Sequence, residues 1–154
     1  MVEMKPKNVV TLKVEGSCPT HSRTDILARD TEIVIDEPVE RGGTNLGPSP
    51  TETLLSSLAA CTNVIGHKCA AKHGVTFQAF HVTVTSSFDR RGVTLQEEVD
   101  VPFENVEVLI EATTDADDAT LEKVKTDLTK FCAVSKVFRN CGSTVTDVWK
   151  ITRP

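Results

Sequence analysis

Gly42-Gly43-Thr44-Asn45-Leu46-Gly47-Pro48-Ser49-Pro50-Thr51-Glu52-Thr53-Leu54-Leu55-Ser56-Ser57-Leu58-Ala59-Ala60-Cys61 is a turn cluster that runs straight into a helix. Residues 42–50 hold the densest collection of turn formers in the chain and are expected to be irregular. Ser49 is a natural N-cap, Pro50 suits the first helical position, and Glu52 stands three residues after Ser49. The helix therefore has a start with a mechanism. Leu54, Leu58, Cys61 and Ile65 recur as one stripe, and Ala59, Ala60, Ala70 and Ala71 keep the neighbouring faces thin. The helix is expected to reach about His73 and to stop at Gly74, with Lys72 and His73 near the negative end of its dipole. Its small residues and few early charges mark it as a buried central helix.

Working outward, residues 8–15 alternate and are rich in β-branched side chains, which predicts a strand. A turn is expected over 16–19, a second strand over 20–27 and a third over 31–35, together an N-terminal meander. Beyond the helix, residues 75–88 read as a strand with Phe80, Val82 and Val84 on one face. Residues 101–113 contain a further strand. Residues 115–131 open with acids and repeat apolar residues at Leu121, Val124, Leu128 and Phe131, an amphipathic helix. A short helix is expected over 133–138 and a last strand, carrying Trp149, over 144–152. The order βββ-α-ββ-α-α-β is an α+β arrangement in a single domain over residues 1–154.

The chain has 154 residues, enough for a real core. A formal net charge of −5, with basic residues scattered, argues against non-specific nucleic-acid binding. No apolar run approaches the length needed to span a bilayer. Met1-Val2-Glu3-Met4-Lys5-Pro6-Lys7 is not followed by an apolar segment, so no signal peptide and a cytoplasmic location are expected. No phosphate-binding loop, dinucleotide fingerprint, nucleophile elbow or His-Glu-x-x-His is present.

Five cysteines remain, at 18, 61, 69, 132 and 141, with no Cys-x-x-Cys. In a reducing compartment such residues are structural, metal-binding or catalytic. Cys61 on its stripe reads first, on position alone, as a small buried hydrophobe. Cys132 lies where one helix ends and the next begins, where unpaired amides favour a thiolate, although a helix-end core residue fits the same spacing. Cys69 and His73, at i and i+4 with His67 nearby, would make half a zinc site, but no matching ligand pair follows, so no metal is expected. Cys18 and Cys141 sit beside turns and are expected to be exposed. His21 and His81 fall in strand patterns as structural histidines. Arg41 and Glu52 flank the turn cluster. An arginine near a cysteine favours its thiolate, and a paired carboxylate would fix the guanidinium.

The stretch from Gly42 to Cys61 closely resembles the OsmC/Ohr family of osmotically inducible and organic hydroperoxide resistance proteins. Phe131-Cys132-Ala133-Val134-Ser135-Lys136 resembles that family's second cysteine motif. The resemblance implies antiparallel sheets wrapped around central helices in an intertwined homodimer. It implies Cys61 as the peroxidatic thiolate and Cys132 as the resolving thiol, with a dithiol or lipoyl-protein reductant and no bound cofactor. Arg41 matches the family's activating arginine. The family's hydroperoxidases carry glutamate directly after the proline. Here that position is Thr51 and Glu52 follows it, about 100° further round a helix. This departure resembles a less characterised branch of the family.

Two readings follow. One is a thiol peroxidase for organic hydroperoxides using Cys61, Cys132, Arg41 and Glu52. The other is a non-enzymatic redox-sensing or ligand-binding dimer on the same scaffold, which the Thr51 departure favours. A weaker third is thiol chemistry on sulfane or electrophilic compounds.

Overall fold

The computed structural model describes residues 8–154; the stretch 1–7, read above for a leader, lies outside the described residues. The described residues form two compact units, one ending at Thr53 and the other Leu54–Pro154. No helix among the described residues is long and apolar enough to cross a membrane.

In the first unit, β1 (Glu15–Ser17), β2 (Thr24–Ala28) and β3 (Thr31–Ile35) form an antiparallel meander in that order. β2 and β3 are joined by two residues, with Arg29 left-handed at φ 58. The first strand is shorter than the sequence pattern predicts. Residues 8–14 are irregular, with Val9, Val10, Leu12 and Val14 all exposed, and the ladder begins only at Glu15↔Leu27. Alternation without a paired neighbour makes no strand. The predicted turn at 16–19 loses its first two residues to β1. The second strand also starts late, because the Thr20 hydroxyl accepts the amides of Ser22 and Arg23 at 3.3 and 2.9 Å and folds that segment into a turn. His21 lies in this turn, exposed, and not in a strand.

A single 3-10 turn, Val39–Arg41, leads to the Gly/Pro cluster and then to α1 (Pro50–Lys72). The capping box is formed as the sequence implies. The Glu52 carboxylate accepts the Ser49 amide at 2.7 Å, and the Ser49 hydroxyl faces the Glu52 amide at 3.4 Å. The far end is a Schellman motif: Gly74 has φ 70, its amide donates to Ala71, and the Val75 amide donates to Ala70 at 2.9 Å.

The second unit carries β4 (Ala79–Ser86), β5 (Asn105–Thr113), α2 (Asp118–Phe131), α3 (Ala133–Asn140) and β6 (Thr144–Thr152). β5 is central, and its Val106, Val108, Ile110 and Ala112 are buried on one face. β4 pairs with it antiparallel, and Val82 faces Ile110. β6 pairs with it parallel. Sheets antiparallel throughout, as expected from the resemblance, are therefore corrected at this pair. The reason is the connection: a parallel partner needs a long crossover, and α2 and α3 supply it. The α+β order itself is as predicted.

Two apolar clusters fill the unit. The larger joins Leu58 of α1 to Val106, Val108 and Ile110 of β5, Leu128 of α2, Cys132, Phe138 of α3 and Val145 of β6. The smaller joins Cys69, Ala70 and Val75 to Leu121 and Val124. Gly66 is needed here, since a Cβ would lie 3.0 Å from the Phe80 ring. Phe131, predicted on the apolar stripe of α2, is instead 57% exposed. Nor is α1 buried all round. Leu58, Thr62, Gly66, Cys69 and Ala70 face inward, while Leu54, Val64 and the polar side chains between them remain open.

Leu58 has no exposed surface and sits at the centre of the larger cluster. Leu58→Ala should cost about 2–5 kcal/mol of stability, read as a lower denaturation midpoint with an unchanged slope in urea.

Candidate functional site

Cys132 closes one helix and opens another. Its amide donates to the Leu128 carbonyl at 3.0 Å, and its carbonyl accepts the Lys136 amide at 3.1 Å. The residue is 1% exposed. The Cys61 side chain, which α1 presents half-buried, packs against the same apolar cluster, close enough to influence the Cys132 thiol. The two candidate redox residues, far apart in sequence, are thus brought together.

Burial pushes the Cys132 thiol up to about 11. The backbone amides of Ser135 and Val134, at the start of α3, pull the other way, and the Cys61 thiol adds to the rise. The amides at the helix start do favour the thiolate, as the sequence implies. Desolvation of a charged sulfur in an apolar core outweighs them. All the cysteines are free thiols.

Phe103 and Phe138, which pack against this cluster, also line an apolar cavity of about 220 Å³ with Leu54, Val101, Val137 and Cys141. Its lining suits a small apolar molecule and offers no charge to an ionic one.

The first unit holds the charged candidates. Arg41 ends the 3-10 turn, and its Nε lies 2.9 Å from Oε2 of Glu37. Glu52 accepts both the amide and the hydroxyl of Ser49 at 2.7 Å, and these bonds hold its carboxyl below the usual range, with a smaller contribution from the Arg41 charge.

The loop between them is organised by Asp36, which has no exposed surface. Its carboxylate accepts the amides of Glu37, Thr44 and Leu46 at 2.8, 3.0 and 3.2 Å, and the Thr44 hydroxyl at 2.5 Å. The Thr44 hydroxyl does most to push this carboxyl far below its ordinary range. Gly43 and Gly47 complete the packing. A Cβ would lie 1.8 Å from the Glu37 carbonyl oxygen at Gly43 and 2.0 Å from that of Val34 at Gly47. Asp36 and Glu37 were not singled out from the sequence. The available signals were an acid pair closing a strand just ahead of a Gly/Thr/Asn turn, and the four-residue spacing of Glu37 and Arg41.

The other candidates fall outside these clusters. Cys69 is buried, and burial raises its thiol. His73 and Lys72 both bond the Asp127 carboxylate, at 2.9 and 2.6 Å, which ties the end of α1 to α2. No group of metal-binding side chains occurs among the described residues. Cys18 and Cys141 are exposed, as is His81 on β4.

A model of the OsmC-like protein family matches residues 43–146. None of the curated proteins matches the chain in sequence. Among solved structures, an OsmC-like protein from Mycoplasma pneumoniae superposes with a TM-score of 0.73 at 15% identity, covering 94% of this chain and 97% of that one. The organic hydroperoxide resistance protein OsmC from Legionella pneumophila gives 0.63 at 15% identity over 95% and 99% of the two chains. The organic hydroperoxide resistance protein OhrB of Bacillus subtilis gives 0.57 at 19% identity over 93% and 98%. At these identities the likeness is one of fold.

Asp36 gives a test of the loop. Its folded-state carboxyl is depressed, so its contribution is present above the ordinary carboxylate range and is lost as pH falls toward the folded value. Asp36→Asn should lower the melting temperature at neutral pH and flatten the acid limb of the stability profile, because its NH2 sets donors either against the amides of Thr44 and Leu46 or against that of Glu37. Thermal melts from pH 2 to pH 7 check this; equal losses at every pH would refute the linkage.

Proposed function

This chain belongs to the OsmC-like protein family, and on that premise we propose that it reduces organic hydroperoxides through a Cys61/Cys132 thiol pair. The observation that supports this most directly is the meeting of the two cysteines in one apolar cluster. In the proposed cycle the Cys61 thiolate attacks a peroxide oxygen. The O–O bond breaks, the alkoxide leaves as an alcohol on taking a proton, and Cys61 becomes a sulfenic acid. The Cys132 sulfur then attacks the Cys61 sulfur, and the hydroxyl leaves as water with the Cys132 proton. A disulfide results, and a dithiol reductant returns two electrons to it. A Cys132 thiol held protonated suits the second role, since it does not compete for peroxide and keeps its proton for the departing water.

The apolar cavity at Phe103 and Phe138 supports an organic substrate over hydrogen peroxide. Arg41 and Glu52 enter the proposal on the resemblance alone, Arg41 as the cation that favours thiolate and holds a peroxide oxygen. A homodimer is proposed as well, supported by the apolar side chains Leu54, Val64 and Phe131 that the single chain leaves exposed. The proposed setting is the cytoplasm, with a small dithiol or a lipoyl-protein as reductant and no cofactor.

Thr51, standing where the family's hydroperoxidases carry glutamate, favours a second reading, a slow redox sensor. One assay separates the two. Reduced protein is mixed with cumene hydroperoxide or with hydrogen peroxide, and peroxide loss is followed with dithiothreitol or dihydrolipoate. Turnover should prefer the organic peroxide, vanish in Cys61→Ser, and give way to overoxidised Cys61 in Cys132→Ser. No turnover above free thiol would reject the peroxidase and leave the sensor.

A further inference from the structure

The end of α3 carries a cysteine that the proposed thiol pair does not use. Cys141 is exposed, and it also lines the apolar cavity of about 220 Å³. All of that lining belongs to the second unit. Backbone hydrogen bonds hold its edge in place. The Cys141 amide donates to the carbonyls of Val137 and Phe138 at 3.0 and 3.2 Å, and the Ser143 amide donates to that of Phe138 at 3.1 Å. The Thr144 amide donates to the Glu104 carbonyl at 2.8 Å, which ties the turn after α3 to the segment that supplies Phe103. Phe103 meets Phe138 edge-on, with ring centres 5.9 Å apart.

Ser143 is the second polar group of the lining. It is 9% exposed, and its hydroxyl has no hydrogen-bond partner among the described residues. A hydroxyl so far removed from water is costly without a partner, and a ligand oxygen in the cavity would supply one. The remaining walls are apolar and bring no charge. An apolar cavity of about 150 Å³ holds benzene, so this larger one suits a neutral chain of about eight carbons with one oxygen.

We propose that this cavity captures apolar α,β-unsaturated ketones on Cys141, with the Ser143 hydroxyl donating to the carbonyl oxygen. The Cys141 proton passes to water and the sulfur forms a bond to the β-carbon. The electron pair of the C=C bond shifts toward the carbonyl oxygen as an enolate, which the Ser143 hydroxyl stabilises. A proton from water then settles on the α-carbon. The sum is addition of S–H across the double bond, with no oxidant or reductant. The step uses neither Cys61 nor Cys132, so its test and the peroxide assay fail separately.

The probe is pentyl vinyl ketone, with acrylamide as a small polar reference. Labelling of Cys141 and of Cys18 is followed by peptide mass spectrometry on the reduced full-length protein. Cys18 is likewise exposed, beside the Thr24 hydroxyl at 3.9 Å. The Cys141-to-Cys18 rate ratio should be higher with the vinyl ketone than with acrylamide, on the order of tenfold or more. An excess of ethyl pentyl ketone, which cannot add a thiol in this way, should slow the vinyl ketone at Cys141 and not at Cys18. Val137→Lys, at a lining position that is 55% exposed, should bring the ratio down to the acrylamide value. Ser143→Ala should lower the ratio for the vinyl ketone and leave it unchanged for benzyl bromide, which has no carbonyl. Equal ratios for vinyl ketone and acrylamide, or no protection by ethyl pentyl ketone, would overturn the site. A preference kept in Val137→Lys would place it outside the cavity and do the same. A preference undiminished in Ser143→Ala would overturn the part given to the hydroxyl.

Discussion

A carboxylate with no exposed surface has to find its donors inside the protein, and Asp36 finds four in the ten residues that follow it. That requirement shapes the first unit beyond its meander. The loop must turn back twice so that Thr44 and Leu46 reach the carboxylate. Glycine at 43 and 47 is what lets one stretch of backbone lie on another without a Cβ between them. The same folding back brings Glu37 to Arg41 and delivers Ser49, itself buried, to cap α1. Ion pair and helix start are both products of one satisfied buried charge.

The second unit meets a different constraint. β5 carries an unbroken row of buried apolar residues, and its parallel partner β6 is reached only through α2 and α3. The crossover sets the joint between those helices against the core, and Cys132 occupies the joint. Its surroundings then fix its chemistry. Amides at a helix start would favour a thiolate in water; in this core, burial wins and the sulfur stays protonated well above neutral pH. A thiol kept protonated is a poor nucleophile for peroxide.

Much of the local structure was legible in the sequence because its causes are local. The Ser49, Pro50 and Glu52 start of α1, its stop at Gly74, the third and last strands and the amphipathic α2 all follow from capping, periodicity and turn chemistry within a few residues. The errors arose where a local pattern competed with a partner. Residues 8–14 alternate like a strand but have no neighbour in the ladder. Phe131 keeps the α2 period yet lies beyond the face that the core covers. Of the candidate site, the two cysteine motifs were readable through the family resemblance, and Arg41 through its place before the helix.

The sequence by itself determined the α+β order, the helix that carries Cys61, and the junction that holds Cys132, since spacing and capping operate along the chain. Only the tertiary structure decided that Cys61 and Cys132 meet at one apolar cluster, that burial pushes the Cys132 thiol up, that Arg41 pairs with Glu37, and that Asp36 holds the loop. Those outcomes depend on desolvation and on which groups meet across long stretches of chain. Neither is encoded in the spacing of neighbours.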